Sequence, residues 1–167
     1  MLKTIIKSNR FLVILIFLVA LVSCDSKQIF DEYKSLESGS WEINTPITYK
    51  FTVTDTLAKK NLFINVRNNN DYEFSNLFLI TKMSFPDGNV MQDTLEYDMA
   101  DKKGAFLGEG FSEIKENKLL YKEQILFPTA GDYSVEVFQA MRKNEEIEGI
   151  QKLKGIIGVG FRIEKTK

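Results

Sequence analysis

Few residues in this 167-residue chain could do chemistry. Histidine is absent, and cysteine occurs once, at position 24. A Ser-His-acid triad, a Cys-His dyad and a histidine zinc site are therefore excluded, because each needs an imidazole. Carboxylate chemistry remains open. Asp98, Asp101, Glu109 and Glu113 fall in a glycine-bearing stretch, where two acids could flank a glycosidic bond. The plainer reading is a solvated loop. These acids do not follow the D-x-[DN]-x-[DN]-G spacing of a regular calcium loop. GVGF, Gly158 to Phe161, has no helix pattern after it and is not a phosphate loop. Phe106, Phe111 and Tyr121 could present rings to a sugar, or pack into a core or onto a sheet face. No catalytic residue, cofactor or metal is expected.

Cys24 has a chemistry of its own. The chain opens with Lys3, Lys7 and Arg10 and no acid, followed by the uncharged apolar run Phe11 to Val22. That run is short of the roughly twenty residues of a helical span. A basic head, a short apolar middle and a small residue at the exit describe a secretory signal. Leu21-Val22-Ser23-Cys24 resembles the lipobox of bacterial lipoproteins. The resemblance implies that the Cys24 sulfur takes a diacylglyceryl group, that residues 1–23 are cleaved off, and that Cys24 becomes an acylated N-terminus. Two acyl chains suffice for stable anchoring. The alternatives are an ordinary secretory peptide with an accidental cysteine and an uncut anchor. A lone unmodified thiol would be a liability in an exported protein.

The three basic residues named above carry no matching acid in residues 1–23, so the remainder is more acidic than the overall net charge of −1. No basic block exists, which argues against a nucleic-acid partner. With Cys24 acylated no disulfide can form, and packing alone must hold the fold. Thirteen Phe and six Tyr supply apolar area for it.

These side chains need elements to position them. Residues 25–40 are mostly polar, and 24–40 reads as a lipidated N-terminus and tether. As a flexible coil it would span roughly 20–25 Å, with a short helix allowed by the spacing of Phe30, Tyr33 and Leu36. From Trp41 the period becomes two, and 41–167 reads as one domain. Tyr49, Phe51 and Val53 alternate with polar neighbours, as do Leu62, Ile64 and Val66. Residues 74–85 read as a strand apolar on both faces, Pro86-Asp87-Gly88-Asn89 as a turn, and 90–97 as the return strand. Residues 98–118 should be irregular, with one short strand, and 118–127 should resume β structure. Tyr133, entering a strand after Pro128 and Gly131, resembles a tyrosine corner whose phenol reaches back to the preceding loop. Ile157, Val159, Phe161 and Ile163 share a face, while Gly158 and Gly160 permit a bulge or a close approach. The expected fold is all-β: an antiparallel sandwich, jelly-roll or Ig-like, of seven or eight strands. A closed barrel is the alternative.

Two Asp-Thr-Leu triplets resemble the O-glycosylation acceptor of Bacteroidota, with Thr56 and Thr94 as attachment points. The longer phrases are more specific. Trp41, VRNNNDYEFSNLFL, FPDG, DTLEYDMADKKGAFLGEG, FPTAGDYSVEVFQAMR and GIIGVGFRIEK together resemble the gliding-motility lipoprotein GldH family of Bacteroidota, from about Trp41 to Lys165. The family's usual Trp is replaced here by Phe106 or Leu107. The resemblance implies a non-catalytic lipoprotein of the cell envelope, most naturally at the outer membrane. It would be needed for movement over surfaces and associated with the gliding apparatus and its linked type IX secretion system. Asp25 after the cysteine is an inner-membrane retention signal in some bacteria only. The positions the resemblance points to are Asn76, Leu77, Asp93, Thr94, Gly104, Gly108 and Gln139 to Arg142. Gln139 and Arg142, at a strand end, are the candidates for a partner contact. A carbohydrate-binding lipoprotein is the competing reading and a carboxylate hydrolase the third.

Overall fold

The structure is a computed structural model that describes residues 26–110, 112–143 and 147–166. Ten strands follow in order: β1 (Gln28–Ser35), β2 (Ser40–Glu42), β3 (Ile47–Val53), β4 (Lys60–Asn68), β5 (Asn76–Ser84), β6 (Val90–Asp98), β7 (Lys115–Ile125), β8 (Gly131–Gln139), β9 (Lys152–Lys154) and β10 (Ile156–Lys165). They form two four-stranded sheets, β1-β10-β4-β7 and β3-β8-β5-β6, and a two-stranded ribbon, β2-β9. Every pairing is antiparallel. This is the expected sandwich, with β1, β2 and β9 added to the strands anticipated.

The alternation produces the core directly. Tyr49, Phe51 and Val53 of β3 face Leu62, Ile64 and Val66 of β4 and Val159, Phe161 and Ile163 of β10, all buried. Phe51 sits at the centre of an aromatic cluster, with Phe30, Phe127, Tyr133 and Phe161 at 5.5, 5.8, 5.7 and 5.7 Å. The Tyr49 hydroxyl crosses between sheets and donates to the Val159 carbonyl at 2.8 Å. The opposite side is stitched too: the Tyr121 hydroxyl donates to Asp93 at 2.8 Å and the Tyr97 hydroxyl to the Leu120 carbonyl at 2.8 Å.

Residues 24–40 need correction. The part expected as a tether, with a possible helix around Phe30–Leu36, contains β1, an edge strand paired with β10 from Gln28 to Ser35. Phe30 packs against the core, and Tyr33 lies on the outer face. A spacing of three puts them on opposite sides of a strand, which is why their order mimics a helix. Gly158 and Gly160 explain the fit. A Cβ on either would lie 2.5 or 2.6 Å from the Tyr33 ring, so the ring rests directly on the β10 backbone. The register shift between Ile156 and Gly158 supplies the bulge.

The hairpin β5–β6 forms as expected. Its turn is closed by Gly88 N–H to the Phe85 carbonyl at 3.0 Å, with Gly88 at φ +86°. The tyrosine corner forms as well, the Tyr133 hydroxyl donating to the Thr129 carbonyl at 2.7 Å. Residues 99–114 hold isolated bridges, Ala100 to Phe106 and Glu109 to Glu116, rather than the short strand expected, among the described residues.

Candidate functional site

Cys24 lies outside the described residues. The described residues begin at Ser26, and the Lys165 N–H donates to the Lys27 carbonyl at 2.9 Å. The chain therefore joins the sheet within a few residues of Cys24.

The strand end at 139–143 is the second candidate. Gln139 is 1% exposed. Its amide donates to the Ile150 carbonyl at 2.6 Å and its oxygen accepts from the Met141 N–H at 3.0 Å. Gln139 thus pins the 140–151 connection to β8. Both of its polar ends are used internally, which corrects its assignment as a partner contact. Arg142 is exposed and bridged through its backbone to Gly149. Around it lie half-buried Ile43, Ile80 and Phe138 and buried Met141, lining a cleft of about 400 Å³ together with Ile147, which is 97% exposed. Lys82 lies over the Phe138 ring at 5.1 Å. The cleft thus sets an apolar floor beside Arg142 and Lys82.

A third region was not legible in the sequence. On the outer face of β1-β10-β4-β7, the Arg67 guanidinium stacks on the Tyr33 ring at 4.2 Å and pairs with Glu116 at 2.9 Å. Arg162 pairs with Asp31 and with Glu164, the latter at 2.6 Å, and Lys118 reaches Glu164 at 2.7 Å. Burial pushes the Glu164 carboxyl up, but hydrogen bonds and charge from Lys118 and Arg162 outweigh it and hold it below the usual carboxylate range. Burial pushes the Tyr33 hydroxyl up, against the pull of Arg67. Asp31, Tyr33, Arg67, Glu116, Lys118 and Arg162 border an open cleft of about 1020 Å³. Charges of both signs line it, Asp31, Asp98, Glu109 and Glu116 with Arg67, Lys118 and Arg162.

The remaining candidates disperse. Asp98, Asp101, Glu109 and Glu113 are all exposed. Asp101 spends its carboxylate on its own turn, accepting from the Lys103 and Ala105 N–H groups at 2.8 and 2.9 Å. Among the described residues no group of three or more acids or cysteines could hold a metal ion. Tyr121 is a core residue. Phe106 is half-buried, 6.4 Å from Tyr72, and Phe111 lies outside the described residues. Tyr121 and Phe106 therefore present no pair of fully exposed rings. Thr56 is half-buried in the β3–β4 loop, and Thr94 is exposed on edge strand β6, paired with Ile80. Asn76 is half-buried, and its amide donates to Glu96 at 3.0 Å.

Comparison with known proteins was informative in sequence and weak in structure. The family model described as GldH lipoprotein matches residues 28–163. The chain is 50% identical over 154 residues to a "Gliding motility lipoprotein GldH homolog" of Christiangramia forsetii, covering 92% of this chain and 94% of that protein. It is 46% identical over 153 residues to the "Gliding motility lipoprotein GldH" of Flavobacterium johnsoniae, with the same coverage. Among solved structures, the infectious bursal disease virus VP2 subviral particle matches with a TM-score of 0.38 at 12% identity, over 84% of this chain and 34% of that one.

Proposed function

Because the chain belongs to the GldH lipoprotein family, we propose that it serves gliding movement over surfaces as a non-catalytic component or stabiliser of the gliding and linked type IX secretion apparatus. As a lipoprotein it is membrane-anchored in the cell envelope. The anchor is a diacylglyceryl thioether on Cys24, and the membrane is the outer one. Envelope proteins of the apparatus meet the end that carries Arg142, with Gln139 positioning that segment from beneath.

The observation that carries this reading is near-half identity along almost the whole length of a named gliding motility lipoprotein. The lipobox-like run ending at Cys24 supports the anchor. Deleting the gene in a gliding strain should abolish colony spreading, and the intact gene should restore it; normal spreading in the deletant overturns the assignment. Labelled fatty acid should enter the protein, and Cys24→Ala should abolish the label. Retained label in that variant would overturn the anchor. Pull-down from detergent extracts should recover envelope partners with the native chain and lose them with Arg142→Glu.

A further inference from the structure

We propose that the pole of the sandwich where the chain enters is a membrane-contacting surface, with Ile29, Leu57 and Leu126 seated in the interfacial layer of the bilayer that holds the Cys24 lipid. The inference rests on the Cys24 anchor above and adds an orientation to it.

Three observations converge on this pole. The first is reach. Lys27 is already bonded into the sheet by Lys165, so only Asp25 and Ser26 lie between the acylated cysteine and the fold, three residue steps from Cys24 to Lys27. Three extended residues span at most about 10 Å. The bilayer surface therefore lies against this end of the molecule and not a flexible tether's length away.

The second is topology. Gln28 pairs with Glu164, Lys60 with Lys165, and Ile125 with Lys60. The start of β1 thus shares one pole with the β3–β4 and β7–β8 loops. Those loops carry Leu57, 89% exposed, and Leu126, 51% exposed, and Ile29 beside them is 43% exposed. Lys27, Lys59 and Lys165 surround them on the same pole, their side chains exposed, where ammonium groups meet anionic headgroups favourably. The opposite pole also exposes apolar side chains, Leu107, Ile114 and Ile147, but the anchored end of the chain does not emerge there.

The third is that Leu57 is held outward by built structure. The Asp55 carboxylate accepts from the Leu57 and Ala58 N–H groups at 2.9 and 3.1 Å. The buried Lys60 ammonium donates to the Asp55 and Ala58 carbonyls at 2.6 and 2.9 Å. A large aliphatic side chain fixed at the tip of such a loop fits an apolar boundary layer better than water.

The test uses the mature acylated chain in phosphatidylethanolamine–phosphatidylglycerol vesicles. With Cys24 blocked by lipid, Leu57→Cys, Leu126→Cys and Ile147→Cys each give one labelling site for an environment-sensitive dye. Dyes at 57 and 126 should shift to shorter wavelength and be quenched by shallow doxyl lipid, while the dye at 147 should do neither. Quenching at 147, or at none of the three, in protein that floats with the vesicles overturns the orientation alone. Failure of the protein to float, with an unmodified Cys24 by mass, overturns the anchor and the orientation with it. A glycan found on Thr56, next to Leu57, would also overturn the contact.

Discussion

The two poles of the sandwich hold their connections in different ways. At the pole where the chain enters, the strands are joined by residues 54–59, 85–89 and 126–130; at the other, by 36–46, 69–75, 99–114 and 140–151. Within its loops the entry pole uses bonds that are close in sequence, Asp55 on Leu57 and Ala58, Asp87 on Asn89, and Tyr133 on Thr129; its distant bonds, Lys165 to the Lys27 carbonyl and Thr166 to the Lys59 carbonyl, come from the end of β10. The far pole also ties segments distant in sequence. The Asn69 N–H donates to the Gly155 carbonyl at 2.9 Å, the Ile43 N–H to the Gln151 carbonyl at 3.0 Å, and Gln139 reaches Ile150. Local turn chemistry is indifferent to what the rest of the fold does. Connections held by distant partners report on the whole fold, and they enclose the shallow apolar ground around Arg142.

Substitutions should separate the two poles. The largest effect is expected at Gly155 of the far pole. It has φ +79°, and a Cβ there would lie 2.1 Å from the Tyr72 nitrogen. Gly155→Ala should cost about 2–5 kcal/mol, the sum of left-handed strain and overpacking, read by urea denaturation; a loss near zero would mean this pole is slack. Gln139→Leu comes next, at about 2–3 kcal/mol, because a buried carbonyl and N–H lose their partners. Proteolysis should then cut within 140–151 before the core opens. If cutting instead begins at 54–59, the contrast between the poles is reversed. At the entry pole Tyr133→Phe should cost only about 1 kcal/mol, one hydrogen bond in a corner that keeps its packing.

A smaller effect concerns acid. The folded Glu164 carboxyl is held below its ordinary range, so its contribution is present above the unfolded pKa and is lost as pH falls through the folded one. Glu164→Gln should lower the neutral plateau of a stability–pH curve and flatten its acid limb, so that the two curves converge at low pH; an unchanged curve would show that the Lys118 and Arg162 contacts are loose. The smallest change has the opposite sign. Gln124 sits at φ +50°, where an L side chain is disfavoured by about 1–2 kcal/mol. Glycine's own entropy cost offsets part of that, so Gln124→Gly should gain up to about 1 kcal/mol in the same denaturation assay.

The same contrast explains what could be read from residues alone. Strands β3, β5, β6, β8 and β10 announce themselves because alternation and turn residues are local facts. Tyr133 and the Gly158–Gly160 pair were legible for that reason too. β1 was hidden because Phe30 faces the core and Tyr33 faces outward, so its apolar residues fall three apart and suggest a helix. β2 and β9 are three residues each, too short to show a period. Gln139 looked like a contact residue because a polar side chain at a strand end ordinarily meets solvent; its partner, the Ile150 carbonyl, is supplied only by the folded loop. Tyr121, which was weighed as a sugar platform, is buried by the opposing edge strand that carries Asp93. The pairing of Arg162 with Asp31 joins residues at the two ends of the chain, and no local pattern in the sequence points to it.

The position of β1 has a mechanical consequence. Its hydrogen bonds to β10 run perpendicular to both strands, and it enters the sheet at the pole where Gln28 pairs with Glu164 and points toward the pole that carries Arg142. On the proposed anchoring at Cys24 and docking near Arg142, tension between the bilayer and the partner would act along the strand. It loads the rungs of the ladder from Gln28 to Ser35 in shear, together, where pulling sideways would open them one at a time.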